Sequence, residues 1–390
     1  GGSTVTIAQR MFEGMNSFAL LAIPLYTFAG FTMSKGGISK RLMDFCYSIV
    51  GHIYGGLAHV NVLSSMIFAG ISGSAVADTA GVSGMFMPEM VRKGYSKNFT
   101  VAVTAISSTI GIIIPPSIPM VVIAGICGIS TGKLFLGGII PGVLCGLAQM
   151  IVSYFMAKKE GVPKEPGHFT IGPVLHGLWE SWPALLMPII IVGTITMGIV
   201  SPTEAGVIAV VYGLFAGGII YRELKWEDIK FAFAETVRTS GRIFIVIGAA
   251  KLYTVMLTTA GFDKWVAKTM LGFSTNPTVI LIMILLIFFI VTMFMESIAT
   301  LTLFMPILYP IALGVGIDPI VLSVLITVVI GVGLVTPPVG MCIYVACDLM
   351  DVTVGEVFPT LVPFIAATFV CIALMVAFPQ LILLPTYLMA

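Results

Sequence analysis

Nine mostly apolar stretches, each long enough to form one helix through a bilayer, recur along this chain at 16–34, 99–126, 134–157, 183–200, 205–221, 242–261, 278–295, 319–347 and 357–388. An α-helix rises about 1.5 Å per residue, so roughly 20 apolar residues match a hydrocarbon core of about 30 Å. A chain that repeats such a stretch is built for lipid. Its charge content agrees: 9% of residues are charged and 58% hydrophobic, with a mean hydropathy of +1.09. A soluble domain carries about 25% charged residues. Backbone groups in lipid must be satisfied internally, so spans of this kind are helices and the expected fold is all-α.

Charge placement orients the spans. All 19 Lys and Arg lie between Arg10 and Lys268, and the last 122 residues hold five acids and no base. Basic loops mark the cytoplasmic side. The clusters Arg92/Lys93/Lys97, Lys158/Lys159/Lys164 and Arg222/Lys225/Lys230 therefore face the cytoplasm, with Lys133 a lone exception outside. The net charge of +1 gives no reason to expect a nucleic-acid partner. The start at Gly1-Gly2-Ser3 lacks the pattern of a signal peptide. The six cysteines are scattered through apolar runs without a C-x-x-C, and they read as small buried side chains rather than metal ligands or disulfides.

The chain repeats itself. GIIIPPSIPMVVIAG at 111–125 matches GLVTPPVGMCIYVAC at 333–347, an offset of 222 that also carries Gly94 onto Gly316 and Pro141 onto Pro363. Phe86-Met87-Pro88 matches Phe304-Met305-Pro306 at an offset of 218, which implies four extra residues in the second copy. The segment after the interrupted stretch is basic in copy one and carries only Asp318 in copy two, so the copies are expected to face opposite ways. Repeats of this kind are characteristic of carrier folds.

Two interrupted stretches carry the chemistry. FAGISGSAVADTAGVSG (68–84) is too polar and glycine-rich for a lipid-facing helix. It reads as a re-entrant hairpin turning at Ser72-Gly73-Ser74, with Asp78 and Thr79 just beyond. Copy two turns near Met295 to Thr300, bringing Glu296, Ser297 and Thr300 to its tip. Intramembrane carboxylates are costly and usually functional. The proline pairs Pro115-Pro116 and Pro337-Pro338 remove donors and unwind their spans. The carbonyls of Gly111 to Ile114 and of Gly333 to Thr336 are then expected to be free. With the tip oxygens they suit a hard cation such as sodium, and helices restarting at Ser117 and Val339 would aim positive dipole ends at a substrate carboxylate. The expectation is two cation sites flanking one substrate site.

Segments 36–51 and 261–273 mix bases with Phe, Trp, Met and Leu and read as interfacial arm helices; 223–242 reads as a cytoplasmic surface helix. Trp179 and Trp182 read as interface anchors, His52 and His59 as interfacial residues, and Lys251 as a snorkelling or interface lysine. Enzymatic or pump chemistry finds no support: HExxH and G-x-S-x-G are absent, and GISTGK (128–133) lacks the leading Gly and the final Ser or Thr of a phosphate loop.

Taken together, HVNVLSSMIFAGISGSAVADTAG (59–81), IGIIIPPSIPMV (110–121), SPTEAGVIA (201–209), FMESIATLTLFMPILYPIA (294–312) and GLVTPPVGM (333–341) resemble the large membrane (M, DctM-like) subunit of tripartite ATP-independent periplasmic (TRAP) transporters. The resemblance spans nearly the whole chain. Family members carry at least one further apolar span ahead of the region matching residues 5–14, which is missing here. The resemblance implies an all-α polytopic protein of the ion-transporter superfamily type, with inverted repeats, each holding a hairpin and a Pro-Pro-broken span, and with an elevator motion. It implies sodium as driver and no other cofactor, a small four-helix membrane subunit and a periplasmic substrate-binding protein as partners, and a bacterial inner-membrane location. Substrates would be C4-dicarboxylates, sialic acid or similar carboxylates. A stand-alone sodium/dicarboxylate-type symporter is the alternative.

On that resemblance, substrate contacts fall on Ser74, Pro116, Ser117, Thr300 and Pro338. Sodium contacts, partly through carbonyls, fall on Ser72, Gly73, Asp78, Gly111, Pro115, Glu296, Ser297, Gly333, Thr336 and Pro337. The expected division is a scaffold span and arm (1–56), a first transport half (57–160), further scaffold (161–275) and a second transport half (276–390).

Overall fold

A computed structural model describes residues 4–162 and 170–388; Lys164 and the Gly1-Gly2-Ser3 start lie outside the described residues, as do the side chains at 4–6, 39, 82–85 and 388. Among those residues the regular structure is helical throughout. The first unit runs α1 (Thr4–Met15), α2 (Ala22–Lys35), α3 (Ile38–Val50), α4 (Gly56–Ser72), α5 (Ala75–Arg92), α6 (Lys97–Ser108), α7 (Ile118–Cys127) and α8 (Thr131–Lys159). Two connecting spans follow, α9 (Ile171–Thr196) and α10 (Pro202–Phe215). The second unit runs α11 (Trp226–Thr259), α12 (Phe262–Phe273), α13 (Pro277–Thr292), α14 (Ser297–Gly314), α15 (Pro319–Gly333), α16 (Met341–Met350), α17 (Val354–Ala377) and the short α18 (Gln380–Leu383).

Local chemistry sets the ends. Ser96, Ser130, Asn276 and Asp318 cap the helices that follow them with side-chain oxygens, and Pro277 and Pro319 occupy first-turn positions where a missing N–H costs nothing. Ser201 and Glu204 close a reciprocal capping box ahead of α10.

The repeat is visible element by element. Helices α5 and α14 are both 18 residues long, with N-caps at Ser74 and Glu296, and α6 and α15 begin at Lys97 and Pro319. Each of these pairs is separated by 222 residues. Pro88 and Pro310 are both the fourteenth residue of their helices. The 218 offset of the Phe-Met-Pro triplet is thereby corrected: it is a local coincidence one helical turn out of register, and no four-residue insertion exists. The units embrace reciprocally. Helix α7 packs on α14 as α16 packs on α5, and α8 packs on α15 as α17 packs on α6. That exchange is what a two-fold relation produces.

The two-fold is an inverting one. Lys97, at the start of α6, donates from Nζ to the Met350 carbonyl at the end of α16, 3.0 Å away. The broken spans α6/α7 and α15/α16 therefore run in opposite directions, and Asp318 lies at the end remote from Lys97.

Several boundaries differ from the sequence reading. The surface helix expected at 223–242 and the span at 242–261 are one 34-residue helix, α11, because nothing between them breaks the hydrogen-bond ladder. Helix α9 begins at Ile171 rather than 183, and Pro183 and Pro188 are accommodated inside it. The last span stops at Ala377, before Pro379. His59 is not interfacial: it is 4% exposed and bonds the Tyr54 carbonyl through Nε2 at 3.1 Å.

Candidate functional site

Each hairpin closes onto the broken span of its own unit. At the first tip Gly73 adopts φ +65°, and a Cβ there would lie 2.8 Å from the Pro116 carbonyl oxygen. Only glycine lets the chain turn and approach that closely. The Gly73 carbonyl accepts from the Ile118 amide at 3.1 Å. Copy two repeats the device: the Met293 carbonyl accepts from the Val339 amide at 2.9 Å. Both Pro115-Pro116 and Pro337-Pro338 are cis. The first tip also rests on α2, where Gly30 leaves room for Ser72, and on Pro188 of α9 at Gly70.

The first tip brings together most of the residues singled out there. Ser72 Oγ donates to Asp78 Oδ1 at 2.7 Å. Ser74 caps α5, its Oγ accepting from the Ala77 amide. Asp78 is fully buried, and its Oδ2 has no hydrogen-bond partner. That oxygen points at Gly111, where a Cβ would sit 2.6 Å from it. A buried carboxylate oxygen without a donor is a strongly unfavourable arrangement for protein atoms alone. Pro115, Pro116 and Ser117 are all buried beside the tip. Ser117 Oγ donates to the Ile112 carbonyl at 2.6 Å, so that carbonyl is not free as the proline pair had suggested.

Copy two is built differently. Glu296 is the N-cap of α14, with Oε2 accepting from Ile298 and Ala299 amides at 2.7 and 3.2 Å and Oε1 from Ser297 Oγ at 2.5 Å. Thr300 Oγ1 donates to the Glu296 carbonyl at 3.1 Å, and Thr336 Oγ1 to the Val332 carbonyl at 2.7 Å. The Gly333 and Leu334 carbonyls are likewise engaged, by the Thr336 and Cys342 amides, which corrects the expectation of free oxygens at both. Helix α16 restarts at Met341 rather than Val339, because Gly340 still holds a left-handed φ of +45°. Pro337 is half-buried and Pro338 exposed. At the 222 offset, Asp78 corresponds to Thr300 and Ser74 to Glu296, so the two carboxylates are not symmetry mates.

A seam missed by sequence reasoning joins the units. Thr79 Oγ1 and Ser108 Oγ share a 2.6 Å hydrogen bond, and the Cys342 thiol lies within reach of both hydroxyls. Below it, Asn61 bonds Thr104 at 2.6 Å and accepts from Ser107 at 3.1 Å, pinning α4 to α6. The signal was available: Thr100, Thr104, Ser107 and Ser108 recur at helical spacing. Among the described residues no three His, Cys, Asp or Glu side chains converge. One carboxylate with hydroxyl and carbonyl oxygens is a donor set for a hard cation, not for a transition metal.

Inverted units, each with a hairpin closed onto a span broken at a proline pair, define a polytopic membrane carrier. More specifically, the chain belongs to the DctM component of the tripartite ATP-independent periplasmic transporters, whose family model matches residues 2–381. It is 36% identical over 377 residues to the sialic acid TRAP transporter large permease SiaM of Vibrio cholerae, covering 97% of this chain and 88% of that one. Against the C4-dicarboxylate TRAP transporter large permease DctM of Pseudomonas aeruginosa it is 34% identical, covering 99% and 90%. It is 37% identical to the isethionate TRAP transporter permease DctMQ of Oleidesulfovibrio alaskensis, covering 92% of this chain but only 57% of that longer protein. The fold is shared with the Alcanivorax borkumensis YdaH transporter, with a TM-score of 0.62, 13% identity, and 95% and 88% of the two chains covered. The chain is thus a multi-pass inner-membrane transport component, not an enzyme.

Proposed function

We propose that this chain carries a small organic anion into the cell, driven by sodium. One observation carries the reading: the fully buried Asp78 keeps an oxygen with no protein donor, aimed at Gly111 beneath a closed hairpin tip. A sodium ion bound there answers that oxygen, with Ser72 and backbone carbonyls of the Gly111–Pro116 segment completing its shell. Copy two supplies the second site through Glu296, Ser297, Gly333, Thr336 and Pro337. Substrate meets Ser74, Pro116, Ser117, Thr300 and Pro338 between the tips. In this reading sodium and acid load together, and the loaded halves at 57–160 and 276–390 slide as a block against 1–56 and 161–275. In keeping with the tripartite family, a small four-helix membrane subunit braces the frame and a periplasmic binding protein delivers the acid.

The test is uptake in proteoliposomes containing the chain with its partner subunit and binding protein. Sodium-gradient vesicles should accumulate substrate and choline vesicles should not. Equal uptake in choline with only a proton gradient would remove the sodium reading. Full activity of this chain alone would favour a stand-alone symporter.

A further inference from the structure

The polar seam at Thr79, Ser108 and Cys342 has no counterpart across the two-fold. At the 222 offset its mates are Leu301, Ile330 and Met120, and all six side chains are fully buried. The fold thus closes the equivalent place with hydrocarbon alone. Burying two hydroxyls and a thiol instead carries a desolvation cost unless they satisfy one another. Packing by itself does not account for the polar trio.

Each hydroxyl has one proton to give. Thr79 Oγ1 lies 2.9 Å from the Ala75 carbonyl, Ser108 Oγ lies 2.7 Å from the Ala105 carbonyl, and the two hydroxyl oxygens are 2.6 Å apart. Whichever hydroxyl donates across the 2.6 Å contact gives up its own helix carbonyl and is left as an acceptor. The Cys342 thiol, within reach of both oxygens, supplies the third proton of the set in either order.

Cys342 faces both cation assemblies at once. Thr79 follows Asp78 directly on α5, so a shift of the Asp78 turn moves the hydroxyl that the thiol meets. The thiol lies within electrostatic reach of Asp78 and of Glu296. Its own amide donates to the Leu334 carbonyl at 3.0 Å, across the Pro337-Pro338 break. The mate residue makes no such link: Met120 Cε ends beside Gly138 of α8, in its own unit, where a Cβ would lie 2.8 Å from it.

We infer that Cys342 is a positioning residue that couples the two cation sites: its thiol follows the Asp78 turn, and its backbone carries the response to the second break. This rests on the sodium-coupled reading above and adds to it one cross-unit link, present in one of the two places that symmetry offers.

The experiment is equilibrium binding of radioactive sodium to the purified full chain, with choline holding the ionic strength constant. The unaltered protein should give a sigmoidal isotherm, the mark of coupled sites. Cys342→Ala should flatten it to independent binding and raise the half-saturating sodium concentration about fivefold, the weight of one buried hydrogen bond. Its melting temperature in choline should stay close to that of the unaltered protein. Cys342→Ser, which keeps a donor, should restore the sigmoid, and Met120→Leu should leave it unchanged. Should Cys342→Ala not fold, Ser108→Ala removes an acceptor of the same thiol and repeats the test. A folded Cys342→Ala protein with an unaltered isotherm would overturn the inference. So would equal loss in the alanine and serine variants with a lower melting temperature in choline, which marks a packing role. Independent binding in the unaltered protein would overturn the coupling and leave the sodium reading in place, whereas no sodium binding at all would remove that reading and the inference with it.

Discussion

Replacing Gly111 with alanine probes the cation site without removing a polar atom. The added methyl carbon would lie 2.6 Å from Asp78 Oδ2, 3.1 Å from its Cγ and 3.6 Å from its Cβ. Two of these separations are tighter than ordinary packing, so the carboxylate or the short 3₁₀ turn Thr109–Ile112 must move. Gly111 has no positive φ, so alanine adds bulk rather than backbone strain. Overpacking of a dense interior costs about 1–3 kcal/mol. If that cost falls on the loaded state, the sodium concentration for half-maximal uptake rises about 5- to 150-fold, since about 1.4 kcal/mol is a factor of ten. The measurement is a sodium titration of uptake, with size-exclusion profiles to confirm folding. Gly193→Ala serves as control, because a Cβ at Gly193 meets nothing within 4 Å. A folded Gly111→Ala protein with an unchanged sodium titration would refute the idea that the Asp78 oxygen faces a bound ion.

Further outcomes follow from the same geometry. Gly73→Ala should destabilise the first tip and abolish uptake, because both its φ of +65° and the 2.8 Å approach to Pro116 exclude a side chain; Gly128→Ala, with φ +68° in open space, should lower the melting temperature only modestly and keep transport. Ser74→Ala and Glu296→Ala remove N-caps worth about 1 kcal/mol each and should reduce uptake with expression intact; wild-type uptake in both would discredit the tip assignment. Cysteines placed at Lys97 and Asp318 should label from opposite sides of the membrane, and labelling from one side would contradict the inverted arrangement. Burial raises the Asp44 pKa on the arm helix α3, partly offset by Lys40. Its ionised form therefore costs stability above that raised value, so Asp44→Asn should raise the melting temperature near pH 7. The gain should fade as pH falls through the raised value toward the ordinary carboxylate range.

Much of this architecture is legible in the sequence because lipid allows so few solutions. The apolar runs, the proline pairs and the 222-residue offset each constrain the backbone directly, and the hairpin at Ser72-Gly73-Ser74 lies where polarity interrupts an apolar run. What failed depended on contacts between distant segments. The 218 offset was misleading because three matching side chains resemble a register, whereas the true register is set by helix length and caps at Ser74 and Glu296. The carbonyls of Ile112 and Leu334 looked free because a proline removes a donor locally, yet Ser117 and Cys342 bring replacement donors from beyond the break. Asp78 and Glu296 are both carboxylates at hairpin tips, but one is an unanswered oxygen in the core and the other a helix cap.

That difference bears on how the two sites would fill. Glu296 already holds two amides and a hydroxyl, so its carboxylate is stabilised with or without an ion. Asp78 holds one hydroxyl on Oδ1 and no protein donor on Oδ2, so on the proposed reading a cation would complete its tip. Occupation of the Asp78 site should therefore order the first hairpin, and Ser72, which carries that hydroxyl, is also the residue seated against Gly30 of α2. An ion at Asp78 is thus linked, through one side chain, to the contact between hairpin and frame. Amide exchange in 68–80 should slow markedly when choline is replaced by sodium, while exchange in 293–300 changes little. Equal protection of both tips would show that the asymmetry of the carboxylates has no part in coupling.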